Sequence, residues 1–489
     1  MKVGTEISKR FATNVFGTIA GFLGTVFFTR ELGFDGIGVY AIFFSIQMVA
    51  ANLVSFGLYP TLIKRVSEKK HEARQFTSAG LILLGGVAIV TVVSLAFQHQ
   101  INKLVGVDAA PLVPLGVLSW GLFRLSGSFL EGKQRVALVG AIENGRYALI
   151  VPIQAALIAF GFGVPGLIWG LIAGQFIIFL ISYVGFARVV PARPSIELFR
   201  DFIHYSKYAY VQSVTSQLFK QADYILLGQF VGPGAAGVYQ NVFRITEASM
   251  LFSSALAQVT FPQFSALTEE GDDERIADLL TSVFTYAGLF AVPMIGGGAV
   301  IGNSLLLTIY ANSAGTFSLP VIGVVGTANA LIPVLAVANL LNGYREGLEH
   351  FFLGTERPRL YAASGALLIF VYALLSVPLT LLAGSWGVAW ATVLAFGASV
   401  VSLLVFLDQQ IPPSALKDVG SQFVSMVVMT TIVYGLKLRL GGAFGWFRIT
   451  LLIGIGSMTY FAILLALNQR IRIDAVNVIR DFCSEFTSN

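Results

Sequence analysis

The chain has 489 residues, of which 56% are hydrophobic and only 12% are Asp, Glu, Lys or Arg. Soluble domains hold roughly 25% charged residues, so the composition excludes a soluble enzyme or binding module. The net charge of +5 comes from basic loops that would lie against anionic headgroups, and no nucleic-acid partner is expected.

A helix that crosses a bilayer needs ~20 mostly apolar residues. Residues 11–29 carry no charge between Arg10 and Arg30 and give a first span at 11–30. No small-residue cleavage site follows it, so it is expected to be retained rather than removed as a signal peptide. Spans at 37–63, 76–97 and 111–130 come next. The uncharged run 147–187, broken by Gly161-Phe-Gly163-Val-Pro165, yields spans 138–161 and 164–186. Spans 206–231 and 235–261 flank Gly232. Between Asp278 and Arg345 lie 66 residues without a charge. They hold spans 279–302 and 320–346, with a turn expected at Pro320 inside Ser313–Gly323. The run 360–407, broken by Gly384-Ser-Trp386-Gly387, gives spans 360–383 and 386–407. Spans 419–437 and 448–467 complete the set. The tail places Ile473, Val476, Ile479, Phe482 and Phe486 at helical spacing, as an interfacial helix requires. The fold expected is an all-α polytopic membrane protein of fourteen spans; a barrel would show short alternating segments instead.

Loops on the side of the termini carry 21 Lys and Arg residues and loops on the other side carry 5. The positive-inside rule then places both termini in the cytoplasm and the chain in the cytoplasmic membrane. The single Cys483 leaves no intrachain disulfide.

The sequence also repeats. Ser8-Lys9 opens span 1 and Ser206-Lys207 opens span 7. Gly33 with Gly38-Val39-Tyr40 returns as Gly232 with Gly237-Val238-Tyr239, offset by 198 to 199 positions. Gly132-Lys-Gln-Arg135 returns as Gly354-Thr-Glu-Arg357, and Gly166-Leu-Ile-Trp169 as Gly387-Val-Ala-Trp390, offset by 222 and 221. The extra residues are expected in an acidic loop, Gln263–Asp278. The organisation expected is an N-lobe at 1–198 (spans 1–6), a C-lobe at 199–410 (spans 7–12), spans 13–14 at 411–467, and a cytoplasmic tail at 468–489. Six spans mapping onto six in the same order and orientation make a parallel repeat, with a pseudo-two-fold axis along the membrane normal, as in transporters whose halves rock about a central site. Fold alone does not name the cargo.

Five cations fall inside spans: Arg124, Arg146, Lys220, Arg244 and Arg345. Each costs ~2.5–3.5 kcal/mol on insertion scales, so each needs a partner or a wet cavity. Four have an acid one turn away, where residues share a helix face: Lys220 with Asp223, Arg244 with Glu247, Arg146 with Glu143, and Arg345 with Glu349. These acids either neutralise the cations or serve ion coupling. Arg124 has no acid within 120–128, so its partner must come from another helix or from a ligand. At ~1.5 Å per residue, Lys220, Arg244, Arg124 and Arg146 lie ~18–22 Å below the outer surface. A cavity that they shared would suit an anion.

Gly17 and Gly21, and Gly166, Gly170 and Gly174, have the spacing of close helix contacts. Gly127-Ser-Phe-Leu-Glu-Gly132-Lys133-Gln134 ends in Gln and follows no strand, so it is not a phosphate-binding loop. His71, His99, His204 and His350 lack metal-ligand spacing. No cofactor is expected, and the chain reads as a transporter rather than an enzyme.

At Gln221-Ala-Asp223-Tyr-Ile-Leu-Leu-Gly228, with Gly232 and Gly237-Val238-Tyr239, the chain resembles the prokaryotic polysaccharide transporter family. These are O-antigen-flippase-like members of the multidrug/oligosaccharidyl-lipid/polysaccharide exporter superfamily. Phe261-Pro262-Gln-Phe-Ser265-Ala-Leu267 with Gly271-Asp272 is similar to that family's span 8–9 linker, and Arg30-Glu-Leu-Gly33 to its N-terminal pattern. The resemblance covers the whole chain. It implies flipping of a polyprenyl-linked saccharide to the outer leaflet by alternating access. Arg124, Lys220, Arg244, Arg146 and Arg345 would then offset the phosphate's desolvation. The partners implied are the lipid-linked saccharide, membrane lipids, and glycosyltransferases or a polymerase of the same pathway. A peptidoglycan-precursor flippase is a near alternative. So is a cation-coupled multidrug antiporter, although antiporters of the superfamily often carry a span 1 carboxylate that 11–29 lacks. A scaffold role fits poorly with a duplicated core containing charges.

Overall fold

A computed structural model describes residues 2–55, 57–68, 71–194, 214, 216–319, 323–407, 413–440 and 445–487. The turn expected at Pro320 and the Ser206-Lys207 anchor lie outside the described residues. The chain forms two compact units, Met1–Gln240 and Asn241–Asn489.

The first unit opens with helix α1 (Lys2–Ser55), broken at Gly33 by φ 71° and ψ 179°. Glycine reaches positive φ without the steric penalty of a Cβ, so two spans follow one another across a single-residue corner. Then come α2 (Leu58–Ser67), α3 (Glu72–Ala96), α4 (Gln98–Val105), α5 (Leu112–Gly132), α6 (Val136–Ala159) and α7 (Gly163–Leu180), which ends in a π-helical turn, Ile181–Ala187. Helix α8 occupies 216–230, and α9 (Pro233–Glu247) carries the chain onward.

Helix α6 packs between α1 and α7 through two rows of glycine. Gly17, Gly21 and Gly24 of α1 meet Asn144, Tyr147 and Val151, while Gly166, Gly170 and Gly174 of α7 meet Leu157, Gln154 and Ile150. Lipid gives apolar side chains no reason to associate, so close backbone approach by small residues supplies the attraction. A buried polar triad pins α1, α5 and α7. Gln47 Nε2 donates to the Gly116 carbonyl (3.0 Å) and to Gln175 Oε1 (3.2 Å), and the Ser119 hydroxyl donates to the same Oε1 (2.8 Å).

The α8–α9 turn docks on the second half of α1. A Cβ placed on Gly38 would strike the Pro233 carbonyl and approach Gly237, and one placed on Gly237 would strike the Phe34 carbonyl and approach Gly38. Gly38 and Gly237 are repeat equivalents, so the chain touches its own copy backbone to backbone. Farther along, Ile42 packs on Gly228 and the Ser45 hydroxyl donates to Gln221 Oε1 at 2.8 Å. This docking carries the first compact unit past the repeat boundary expected at 198.

The second unit contains α10 (Met250–Glu270), α11 (Asp273–Tyr310), a two-stranded antiparallel hairpin of β1 (Thr316–Leu319) and β2 (Gly323–Gly326), α12 (Thr327–Gly354), α13 (Pro358–Val405), α14 (Pro413–Leu440), α15 (Trp446–Leu467) and α16 (Gln469–Thr487). Helix α13 holds two spans joined at Gly384, where φ is 54°. Phe264, Phe284, Phe351 and Phe352 centre one apolar cluster of α10, α11 and α12.

Nine helical stretches among the described residues are long and apolar enough to cross a membrane. Gly17–Ser55 and Pro358–Val405, of 39 and 48 residues, would reach about 58 and 72 Å if straight, and each is two spans around its glycine corner. The fold is all-α apart from the hairpin, which replaces the expected start of span 10; its helix begins at Thr327. The acidic loop expected at Gln263–Asp278 is instead helix on both sides of a tight turn. Helix α10 continues to Glu270, Gly271 takes φ 69°, and the Asp272 carboxylate caps the Arg275 amide at 3.1 Å. Phe264, Leu267 and Ile276 give that segment a face to bury.

Gly38→Ala is expected to destabilise the protein by about 1–3 kcal/mol, as overpacking does. Gly297→Ala, where a Cβ meets nothing within 4 Å, is the control. Thermal melting of the two purified variants, compared with wild type, checks this.

Candidate functional site

The cations expected from the sequence separate into distinct settings. Arg124 lies on α5 and Glu143 on α6, and their side chains form an ion pair across the two helices, 28% and 30% exposed. The Arg124 guanidinium also stands 5.6 Å from the ring centre of Tyr59, on α2. Of the two partners that the sequence left open for Arg124, another helix or a ligand, the structure supplies the first. Conversely, Glu143 does not serve Arg146, its neighbour one turn away. A helix face fixes which residues are adjacent along one rod; the rotation of α5 against α6 decides which guanidinium reaches the carboxylate.

Arg146 is half-buried and ringed by aromatic side chains. Its guanidinium carbon is 4.9 Å from the Tyr147 ring centre, 5.3 Å from Trp120 and 5.8 Å from Phe123. Its Nη2 donates to the Tyr147 hydroxyl at 3.1 Å. Among the described residues no carboxylate pairs with it. Ring faces attract a cation by up to ~2 kcal/mol when desolvated, which holds the charge within the span without neutralising it.

On α8, Lys220 is exposed. Asp223 accepts a hydrogen bond of 2.5 Å from the Tyr239 hydroxyl of α9. Among the described residues no ion pair joins Lys220 to Asp223, so the neighbouring pair expected from the sequence is not formed. Tyr239 belongs to the repeated Gly-Val-Tyr element, and its ring packs edge-on against Tyr224 at 5.9 Å.

In the second unit two pairs form as helix spacing requires. Arg244 meets Glu247 at 3.1 Å, with both side chains more than 40% exposed. Arg345 meets Glu349 at 2.5 Å and is far more enclosed, at 19% and 8% exposed. Arg345 also donates from Nη2 to Asn342 Oδ1 (2.9 Å) and lies 5.5 Å from the Phe396 ring centre. The repeat counterparts Arg124 and Arg345 thus both carry an acid, one from a neighbouring helix and one from the same helix.

Trp120, Phe123, Tyr147 and Tyr59 are the participants that helix spacing could not supply. Tyr147 adjoins Arg146 in the chain, and Trp120 shares a face with Arg124, but nothing in the linear sequence couples α5 to α6. No group of three or more His, Cys, Asp or Glu side chains able to hold a metal ion occurs among the described residues.

A family model described as polysaccharide biosynthesis protein matches residues 27–314. The probable low-salt glycan biosynthesis flippase Agl15 of Haloferax volcanii is 27% identical over 444 residues, covering 90% of this chain and 91% of its own. The probable flippase AglR of the same organism is 26% identical over 482 residues, covering 96% and 97%. Among solved structures, the lipid II flippase MurJ in an inward closed conformation matches with a TM-score of 0.76 and 15% identity, covering 94% of this chain and 99% of that one. The MATE multidrug transporter DinF-BH matches with a TM-score of 0.55 and 16% identity, covering 83% and 97%. At such identities the structural likeness bears on fold alone.

Substituting Glu143 by Ala leaves Arg124 without its acid, and substituting Arg124 by Ala takes from Glu143 its cross-helix partner, whereas the double substitution removes both ends of the pair. The three variants are expected to show a coupling of roughly 0.5–3 kcal/mol, read as melting temperature in detergent. Strictly additive losses would mean that the two residues act independently.

Proposed function

The chain is a member of the polysaccharide biosynthesis protein family, and from that premise we propose that it is a flippase. It carries a polyprenyl-phosphate-linked saccharide, a precursor of a cell-surface polysaccharide or glycoprotein glycan, across the membrane by alternating access. The observation that carries this reading is the Arg124–Glu143–Arg146 group. Side chains bearing full charges stand partly exposed at mid-span, where exposure to hydrocarbon is costly and exposure to a wet cleft is not. A cleft with surplus positive charge suits the phosphate of a lipid carrier.

The names of the two Haloferax volcanii relatives support glycan transport. The repeat supports alternating access, since two lobes of spans 1–6 and 7–12 with equivalent glycines in contact are a means of closing one side. Spans 13 and 14 lie outside the repeat. Arg124, Arg146, Lys220, Arg244 and Arg345 are the cations available to the substrate, and Asp223, Glu247 and Glu143 are the acids available for charge pairing or ion coupling. The termini lie in the cytoplasm, the membrane is the cytoplasmic membrane, and glycosyltransferases or a polymerase of the same pathway hand over or receive the saccharide. Transport of a peptidoglycan precursor is the second reading.

Deleting the gene should remove the glycan from the cell surface and leave its lipid-linked precursor on the inner leaflet; the encoded protein supplied in trans should restore export. A normal surface glycan in the deletion strain would refute the proposal. Topology is tested separately. Single cysteines at Met1 and Asn489, in a Cys483→Ser background, should resist a membrane-impermeant thiol reagent in intact cells and react after lysis.

A further inference from the structure

Two guanidinium groups and one carboxylate meet along the seam between α5 and α6. Glu143 stands three residues before Arg146 on the same helix yet bonds Arg124 across the seam, so the group carries a net charge of +1. That charge resides on Arg146. Its site lies about 15 Å along α6 from Val136, deep within the span. Aromatic rings at 4.9, 5.3 and 5.8 Å surround it. Among the described residues its one hydrogen bond is to the Tyr147 hydroxyl.

A guanidinium has five N–H donors in one plane. Rings attract the cation by their faces but leave in-plane donors needing acceptors. Oxygen atoms of a phosphate satisfy such donors two at a time, through parallel charge-assisted hydrogen bonds. The rings also hold the side chain in place, which lowers the entropy lost when it grips a ligand. We infer that Arg146, framed by Trp120, Phe123 and Tyr147, is the phosphate-binding residue of this protein. Arg124 serves it indirectly, by holding Glu143 away. This inference rests on the lipid-linked-saccharide reading and assigns the phosphate to one residue within it.

The role of Arg124 yields a signature that packing alone would not produce. Without Arg124, Glu143 is released one turn from Arg146, where residues share a face, and neutralises it. Arg124→Ala should therefore weaken phosphate binding even though Arg124 never touches the ligand. Glu143→Gln should leave binding intact or strengthen it. The double variant Arg124→Ala with Glu143→Gln should recover it.

Native mass spectrometry of the purified full chain measures this directly, with a polyprenyl phosphate as probe and the uncharged polyprenol of equal length as control. The wild type should bind the phosphate and not the alcohol. Arg146→Ala should weaken binding roughly ten- to a hundredfold, the worth of a charged hydrogen-bond pair. Arg146→Lys should fall between, because charge survives but the planar fork does not. Where Arg146→Ala fails to insert, Arg146→Lys and the Arg124/Glu143 series carry the test. Phosphatidylglycerol added in excess should not displace the probe; displacement would make this a general headgroup site and overturn the assignment. If the wild type fails to bind polyprenyl phosphate, the lipid-linked reading itself falls. If it binds while Arg146→Ala binds equally well, the reading stands and the assignment to Arg146 falls. Unchanged binding in Arg124→Ala would remove the charge-exchange role of Glu143.

Discussion

The cost of placing a full charge in hydrocarbon governs this molecule. Each intramembrane cation meets it differently, and the differences sort the residues by role. Arg345 is held by Glu349 one turn on and by Asn342, nearly enclosed. Such a pair favours a fixed local geometry, and removing one member would strand the other. Arg244 and Glu247 are mutually placed but exposed, and exposed pairs add little to stability. Arg124 takes its acid from another helix and so ties α5 to α6. Arg146 is held by rings, which attract the cation without cancelling its charge. That arrangement leaves positive charge available to a ligand while keeping the side chain in place.

A second constraint comes from duplication. When a chain contains two copies of one unit about a pseudo-two-fold axis, residues on that axis meet their own equivalents, as in an isologous interface. Gly38 against Gly237 is a contact between two equivalent positions of the sequence repeat. The contact leaves no room for a side chain on either residue. Next to it, Tyr239 of the repeated element spends its hydroxyl on Asp223. Equivalent positions therefore share backbone geometry but not side-chain chemistry, as expected once two copies serve different helices.

What could be read from the sequence follows the range of the interactions. Uncharged runs located spans because the bilayer constrains each helix separately. The break at Gly384 was visible because it depends on one residue, whereas Gly33 stood out in the sequence only as a repeat element between two spans. The Arg244–Glu247 and Arg345–Glu349 pairs were visible because helix pitch alone brings them together. The Arg124–Glu143 pair was not, since it depends on how α5 and α6 rotate against each other. The rings around Arg146 were hidden for the same reason. The segment 263–278 looked like a loop because it is acidic, but its Phe264, Leu267 and Ile276 pack into the α10–α11 cluster; burial overrode charge density. The hairpin before α12 broke the pattern differently: Thr316 and the paired valines Val324 and Val325 favour strand, while the uncharged run around them read as span.

Spans 13 and 14 show how the two constraints combine. Outside the repeat, they have no symmetric partner to bind them, and apolar surface gives little cohesion in lipid. The structure supplies polar chemistry instead. Asp418 of α14 accepts from the Thr285 hydroxyl of α11 (2.9 Å) and from Asn468 (3.0 Å), the residue between α15 and α16. Gln422, one turn beyond Asp418, donates to the Thr285 carbonyl at 2.5 Å. The Asn468 side-chain oxygen Oδ1 then accepts from the Ile471 amide at 3.0 Å, starting the tail helix. A buried network of this kind favours the geometry that pairs most of its polar groups. The added spans are thereby fixed to α11 of the second unit, and the tail helix is fixed to them. Charge that must stay available is held by rings at Arg146, whereas each carboxylate oxygen of Asp418 accepts from a neutral donor, Thr285 or Asn468.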